Sequence, residues 1–210
     1  MFTMKKASFA IAAVAFATSA QAAETAFSYT QLSIAAVTTQ FDDDIYISSG
    51  PYSYEVYEDI GGAALSGSYQ FDNNLILGVS GSYQENSGSH TEINSTGGLY
   101  TLGYASPIAS SVDIIVQGGL AYTELEVCSY GCYSEDDNGL YLSAGGRGWA
   151  TSWLELNASA SYVDYSDLGS ENSFSVGAAG WFNDTSSIFV DLGKADDVKT
   201  AGIGYRYTFN

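Results

Sequence analysis

Hydrophobic residues recur at every second position along most of the chain. From Leu75 to Gln84 one row reads Leu75, Leu77, Val79, Gly81 and Tyr83, while the alternate row reads Ile76, Gly78, Ser80, Ser82 and Gln84. A period of two sends successive side chains to opposite faces of a β-strand. Val112, Ile114, Val116, Leu120 and Tyr122 likewise oppose Asp113, Gln117, Ala121 and Thr123. Leu154, Leu156, Ala158, Ala160 and Tyr162 oppose Glu155, Asn157, Ser159 and Ser161. Phe174, Val176, Ala178, Gly180 and Phe182 form a further row, as do Ile203, Tyr205, Tyr207 and Phe209 against Gly202, Gly204, Arg206 and Thr208. Such segments predict ten strands, near 27–40, 60–71, 74–85, 97–105, 111–126, 138–150, 152–165, 173–183, 186–194 and 199–209, with eight as the alternative count.

The expected connections alternate in kind. Short turns fall at Asp72-Asn73, Ser106-Pro107, Thr151-Ser152 and Asp184-Thr185. Longer acidic segments rich in Gly and Ser fall at 42–59, 86–96, 127–137 and 166–172, and a short one at 195–198. That is the asymmetry of a membrane barrel, with short turns on the periplasmic side and long loops outside. Aromatic residues end the apolar rows, among them Tyr69, Phe71, Tyr83, Tyr104, Tyr122, Tyr162, Phe182, Tyr207 and Phe209. Bilayer interfaces select such amphipathic rings. The other row holds mostly Gly, Ser, Ala and Thr, which fit a narrow interior. The fold expected is therefore all-β, a closed antiparallel up-and-down transmembrane barrel, because an open edge in hydrocarbon strands unpaired amides.

At the start of the chain, Lys5 and Lys6 precede an apolar run and the small-residue pattern Ser19-Ala20-Gln21-Ala22. This predicts a cleaved export signal over 1–22 and one barrel domain over 23–210. Beyond that segment no apolar run reaches 18 residues, so any membrane span is made of strands. The chain carries a formal net charge of −18. Without Lys5 and Lys6, only Arg147, Lys194, Lys199 and Arg206 stand against 24 acids. Such a chain repels nucleic acid. Most of the acids fall in the long connections, so the charge is expected to form an extracellular rim.

The last segment, Gly202-Ile203-Gly204-Tyr205-Arg206-Tyr207-Thr208-Phe209, resembles the C-terminal assembly signal of bacterial outer-membrane proteins, with Asn210 following the aromatic. In size and pattern the chain is similar to the OmpA- and OmpX-like, porin-like superfamily of small outer-membrane barrels. The resemblance implies a place in the outer membrane of a Gram-negative cell, with outer-membrane lipid and the assembly machinery as partners, and no cofactor.

Charges on the polar row are costly in a narrow lumen unless paired. Arg147 and Glu155 stand about equally far from the turn near Thr151, Asp191 and Arg206 are similarly placed across the last loop, and Asp113 lies at comparable depth. These five are expected to form an interior ion-pair network, as a plug or as part of a conducting path. Cys128 and Cys132 lie in an outer loop of an exported chain, where a disulfide is expected. A metal site would need further His or Cys, and His90 is the single histidine. The first long loop carries Asp42, Asp43, Asp44, Glu55, Glu58 and Asp59 among Tyr46, Tyr52, Tyr54 and Tyr57. Its carboxylates suit a divalent cation, though without a full calcium-loop signature. Together with the tyrosines they also suit a cationic or carbohydrate partner, or a plain solvated loop.

Three functions follow. The first is a non-enzymatic structural or surface-interaction role, adhesion-like, through the acidic tyrosine-rich loops. The alternative is a narrow, cation-preferring, porin-like channel, because an acidic mouth concentrates cations. The third is a hydrolase built on Ser89, His90 and Glu92, whose closeness in sequence opposes the geometry of a nucleophile, base and orienting acid.

Overall fold

A computed structural model of the protein describes residues 27–50 and 53–209. The expected export segment, 1–22, lies outside the described residues, as do Tyr52 and Asn210. Ten antiparallel strands form one closed barrel: β1 (Gln31–Gly50), β2 (Ser53–Gln70), β3 (Leu75–Ser87), β4 (Glu92–Ala109), β5 (Val112–Cys128), β6 (Cys132–Trp149), β7 (Leu154–Tyr165), β8 (Gly169–Asn183), β9 (Ser186–Ala195) and β10 (Val198–Thr208). Each strand pairs with its sequence neighbours. Closure comes from β1 against β10, in register from Gln31↔Thr208 to Phe41↔Val198.

The two rows separate as their chemistry requires. Leu32, Leu65, Leu77, Leu102, Val116, Leu142, Phe174, Leu192 and Ile203 are each more than half exposed and, with Leu156 on β7, encircle the barrel. No water-soluble protein offers so continuous an apolar girdle, so this is the lipid face. Tyr69, Phe71, Tyr104, Trp153, Phe182, Tyr207 and Phe209 mark its inner edge, and Tyr83, Tyr122 and Tyr162 its outer edge. Beyond the outer edge the outward row becomes charged at Asp59, Glu85, Glu124, Asp136, Asp164, Lys194 and Lys199.

Several expected boundaries are corrected. The segments 42–59, 86–96 and 127–137 are largely strand among the described residues: β1 continues to Gly50 and β2 begins at Ser53, β3 ends at Ser87 and β4 begins at Glu92, and β5 ends at Cys128 and β6 begins at Cys132. Acidic, Gly-rich sequence reads as loop, but here it is the solvent-facing row of a strand in water. Ser106-Pro107 is not a turn either. Strand β4 runs through Pro107, paired with Asp113 beside a register shift, and turns at Ser110-Ser111. The first strand begins at Gln31, and Phe27 and Tyr29 ahead of it are buried in the lumen. The turn from β2 to β3 places Asn74 at φ 64°, a left-handed conformation asparagine tolerates.

Candidate functional site

Two constellations occupy the barrel, one within the lumen and one above the membrane. In the periplasmic half of the lumen Glu155 is fully buried, and its two oxygens divide the available donors. Oε1 accepts from Arg206 Nη1 at 3.1 Å, and Oε2 accepts from Arg147 Nη2 and from Trp181 Nε1, the latter at 2.8 Å. The Arg147 guanidinium lies 4.3 Å from the centroid of Phe27, which stacks on Trp149, and Arg206 lies 5.2 Å from Phe189. One buried carboxylate thus holds two arginines, each also resting on an aromatic face. Asp113 and Asp191 stand in the same lumen but form no salt bridge among the described residues. Asp113 accepts from Tyr29 Oη at 3.4 Å, and Asp191 from Asn157 Nδ2 at 3.5 Å. Gly177 makes room for Asp191, since a Cβ there would lie 1.8 Å from its Oδ1. A cavity between Gln117, Ser143, Asn157 and Ser159 measures about 10 Å³, one water at most. Trp181, Phe27 and Tyr29 escape a reading based on charge, because their partners are set by depth in the barrel.

Above the membrane, the strand extensions enclose an apolar core of their own. Ile47, Tyr57, Ile60 and Ile93 are buried together, with Phe41, Ile45, Leu125 and Val127 packed against them. The β1–β2 hairpin is tied to the β3–β4 and β5–β6 connections. Glu55 accepts from the backbone N–H of Ser89 (3.0 Å), His90 (3.0 Å) and Thr91 (2.9 Å), and from the Thr91 hydroxyl. Those bonds, the Thr91 hydroxyl foremost, hold the Glu55 carboxyl below the usual range. Tyr57 Oη donates to the Thr91 carbonyl at 2.6 Å and accepts from Gly88 N at 3.0 Å. A Cβ on Gly88 would lie 2.2 Å from Glu55 Oε2, so only glycine lets these groups approach. From the β5–β6 connection Ser129 Oγ donates to the Ser48 carbonyl (2.8 Å) and Tyr130 Oη to the Ser49 carbonyl (3.0 Å). Both donors lie between Cys128 and Cys132, which are joined as a disulfide.

The acids expected in the first loop part company. Asp42 lies at a bulge in β1 and pairs with both Lys194 and Lys199, whose hydrogen bonds lower its carboxyl below the ordinary value. Asp59 accepts from Asn86 Nδ2 at 3.2 Å. Asp43, Asp44 and Glu58 are exposed. Glu55 is the loop clasp already described, a role that only pairing across strands reveals. His90 enters that clasp through its backbone, and no hydrogen bond joins the side chains of Ser89, His90 and Glu92 among the described residues.

Residues 8–209 match the model of the outer membrane protein beta-barrel domain. A comparison with curated protein sequences found no match. Among solved structures, the translocator domain of the autotransporter NalP from Neisseria meningitidis is 14% identical with a TM-score of 0.51, over 86% of this chain and 88% of that one. Neisserial surface protein A is 15% identical with a TM-score of 0.44, over 85% and 96%. The attachment invasion locus protein of Yersinia pestis is 18% identical with a TM-score of 0.37, over 85% and 99%. At these identities the likeness is one of fold.

Proposed function

The chain belongs to the outer membrane protein beta-barrel domain family and is an outer-membrane protein, and from that premise we propose that it is a surface-interaction protein with an adhesion-like role and no catalytic turnover. One observation carries this reading: the outer ends of β1, β2, β4 and β5 pack into the Ile47–Tyr57–Ile60–Ile93 core, and the β1–β2 hairpin is bonded to the β3–β4 and β5–β6 connections through Glu55, Ser129 and Tyr130. A pre-ordered platform loses little entropy when a partner docks. The lumen favours the same reading over a pore, because Glu155, Arg147, Arg206 and Phe189 are buried in it and hold one another.

The test compares cells displaying the protein with cells displaying a variant in which 45–57 is replaced by a short turn. Adhesion to a panel of immobilised proteins and polysaccharides should be lost in the variant, while the purified variant keeps the heat-sensitive gel mobility of a folded barrel. Equal adhesion would count against the reading. So would discrete, reproducible cation conductance of the intact protein in a planar bilayer, which would favour the channel.

A further inference from the structure

Above the membrane the outward row is otherwise acidic or polar along β3 to β5, as at Glu85, Asn94, Glu124 and Glu126. The β1–β2 hairpin breaks this rule. Tyr46 opposes Val56 and Ser48 opposes Tyr54, on the face turned away from Ile47 and Tyr57. Tyr46, Tyr54 and Val56 are 64%, 66% and 48% exposed, well beyond the lipid girdle. Toward the membrane, at the break in the β1–β2 register, Asp44 and Glu58 follow Tyr46 and Val56 by strand alternation; both are exposed, and Tyr46 Oη donates to Asp44 at 3.3 Å. The hairpin cannot fold this face under, because its other face is fixed by the apolar core and by Glu55.

Building on the surface-interaction reading, we propose that this face docks a basic peptide segment of a partner protein. Lysine and arginine carry an apolar stem and a cationic head, and the face offers both counterparts. Val56 and the two tyrosine rings receive stems and guanidinium planes, while Asp44 and Glu58 receive the charge. The charge of the whole outer end selects the same partner, since it attracts cations over a distance and repels polyanions. Across the platform the two outward lysines are already engaged by Asp42, leaving little to recruit an anionic ligand.

Fluorescein-labelled nona-arginine, followed by anisotropy with the protein in zwitterionic detergent, tests this directly. The intact protein should bind saturably and more weakly as salt rises. The double variant Tyr46→Ala/Tyr54→Ala should weaken binding about tenfold, Tyr46→Phe/Tyr54→Phe only about twofold, and Asp44→Asn/Glu58→Gln about tenfold. Asp196→Asn/Asp197→Asn removes equal charge elsewhere on the rim and should change binding by less than about twofold. Folding of each variant is verified by heat-modifiable mobility. Equal losses from the two acid pairs, or no effect of the tyrosine-to-alanine change, would overturn the site. Binding of heparin or neutral dextran through this face in place of nona-arginine would overturn the basic partner and leave the surface-interaction reading standing. Unchanged adhesion of the hairpin-trimmed cells would remove that reading itself.

Discussion

Strand β5 crosses two environments and changes its code between them. From Val112 to Thr123 its outward row is Val112, Ile114, Val116, Gly118, Leu120 and Tyr122, and its inward row includes Asp113, Gln117 and Thr123. One step farther the outward row becomes Glu124 and Glu126, and the inward row becomes Leu125 and Val127. Lipid demands apolar side chains outside and tolerates polar ones within, whereas water demands the reverse. The backbone ladder continues unbroken across the change, from Ala109↔Val112 to Glu92↔Cys128 against β4, apart from the shift after Pro107. A strand of constant geometry thus builds a membrane barrel below the boundary and a soluble β-platform above it.

The two regions are held by different interactions, and each can be broken alone. The largest effect is expected in the lumen. Glu155→Ala strands two buried arginines and should destabilise the barrel by about 4 kcal/mol, read from urea unfolding in micelles. A charge at the centre of the lipid face comes next. Val116→Lys should cost about 3 kcal/mol, while Glu126→Lys, on the same row of the same strand but in water, should stay within about 0.5 kcal/mol. Equal costs would erase the boundary drawn here. In the platform Ile93→Ala should cost about 2 kcal/mol locally, seen as faster hydrogen exchange over 45–60 and 92–94 with β7 to β10 unchanged.

The smallest effect is a pH dependence of the clasp. Glu55 has a folded-state pKa below its unfolded value, so its contribution is complete above the ordinary carboxylate range and is lost as pH falls through the lowered value. Protection factors at the Ser89, His90 and Thr91 amides, taken relative to the intrinsic exchange rate at each pH, should fall on acidification and should stay constant with pH in Glu55→Gln. A loss of protection on raising the pH instead would contradict the sign.

The membrane region was readable from the chain because lipid and lumen impose opposite chemistry on alternate residues. The rows at Leu75–Gln84, Val112–Thr123 and Ile203–Phe209 lie as their period indicates. The platform was not readable, for a physical reason. Past Tyr122 the period persists, but its phase inverts and the outward residues become acids, the composition of a solvated loop. Pro107 misled in the same way, since a proline beside a barrel-end bulge is compatible with strand. In the lumen, Arg147, Glu155 and Arg206 share the polar row in sequence and touch in the structure. Among the described residues Asp113 and Asp191 form no salt bridge and meet Tyr29 and Asn157 instead, contacts that no local pattern encodes.

The inversion is tested most directly by spin labels placed singly from position 112 to 127 of β5, with accessibility measured to oxygen, which partitions into lipid, and to a water-soluble nickel chelate. Labels at 114, 116, 118, 120 and 122 should be reached by oxygen and those at 124 and 126 by nickel, while 125 and 127 are shielded from both. Uniform nickel access from 124 to 127 with no alternation would mean a flexible loop, and the platform with its docking face would fall.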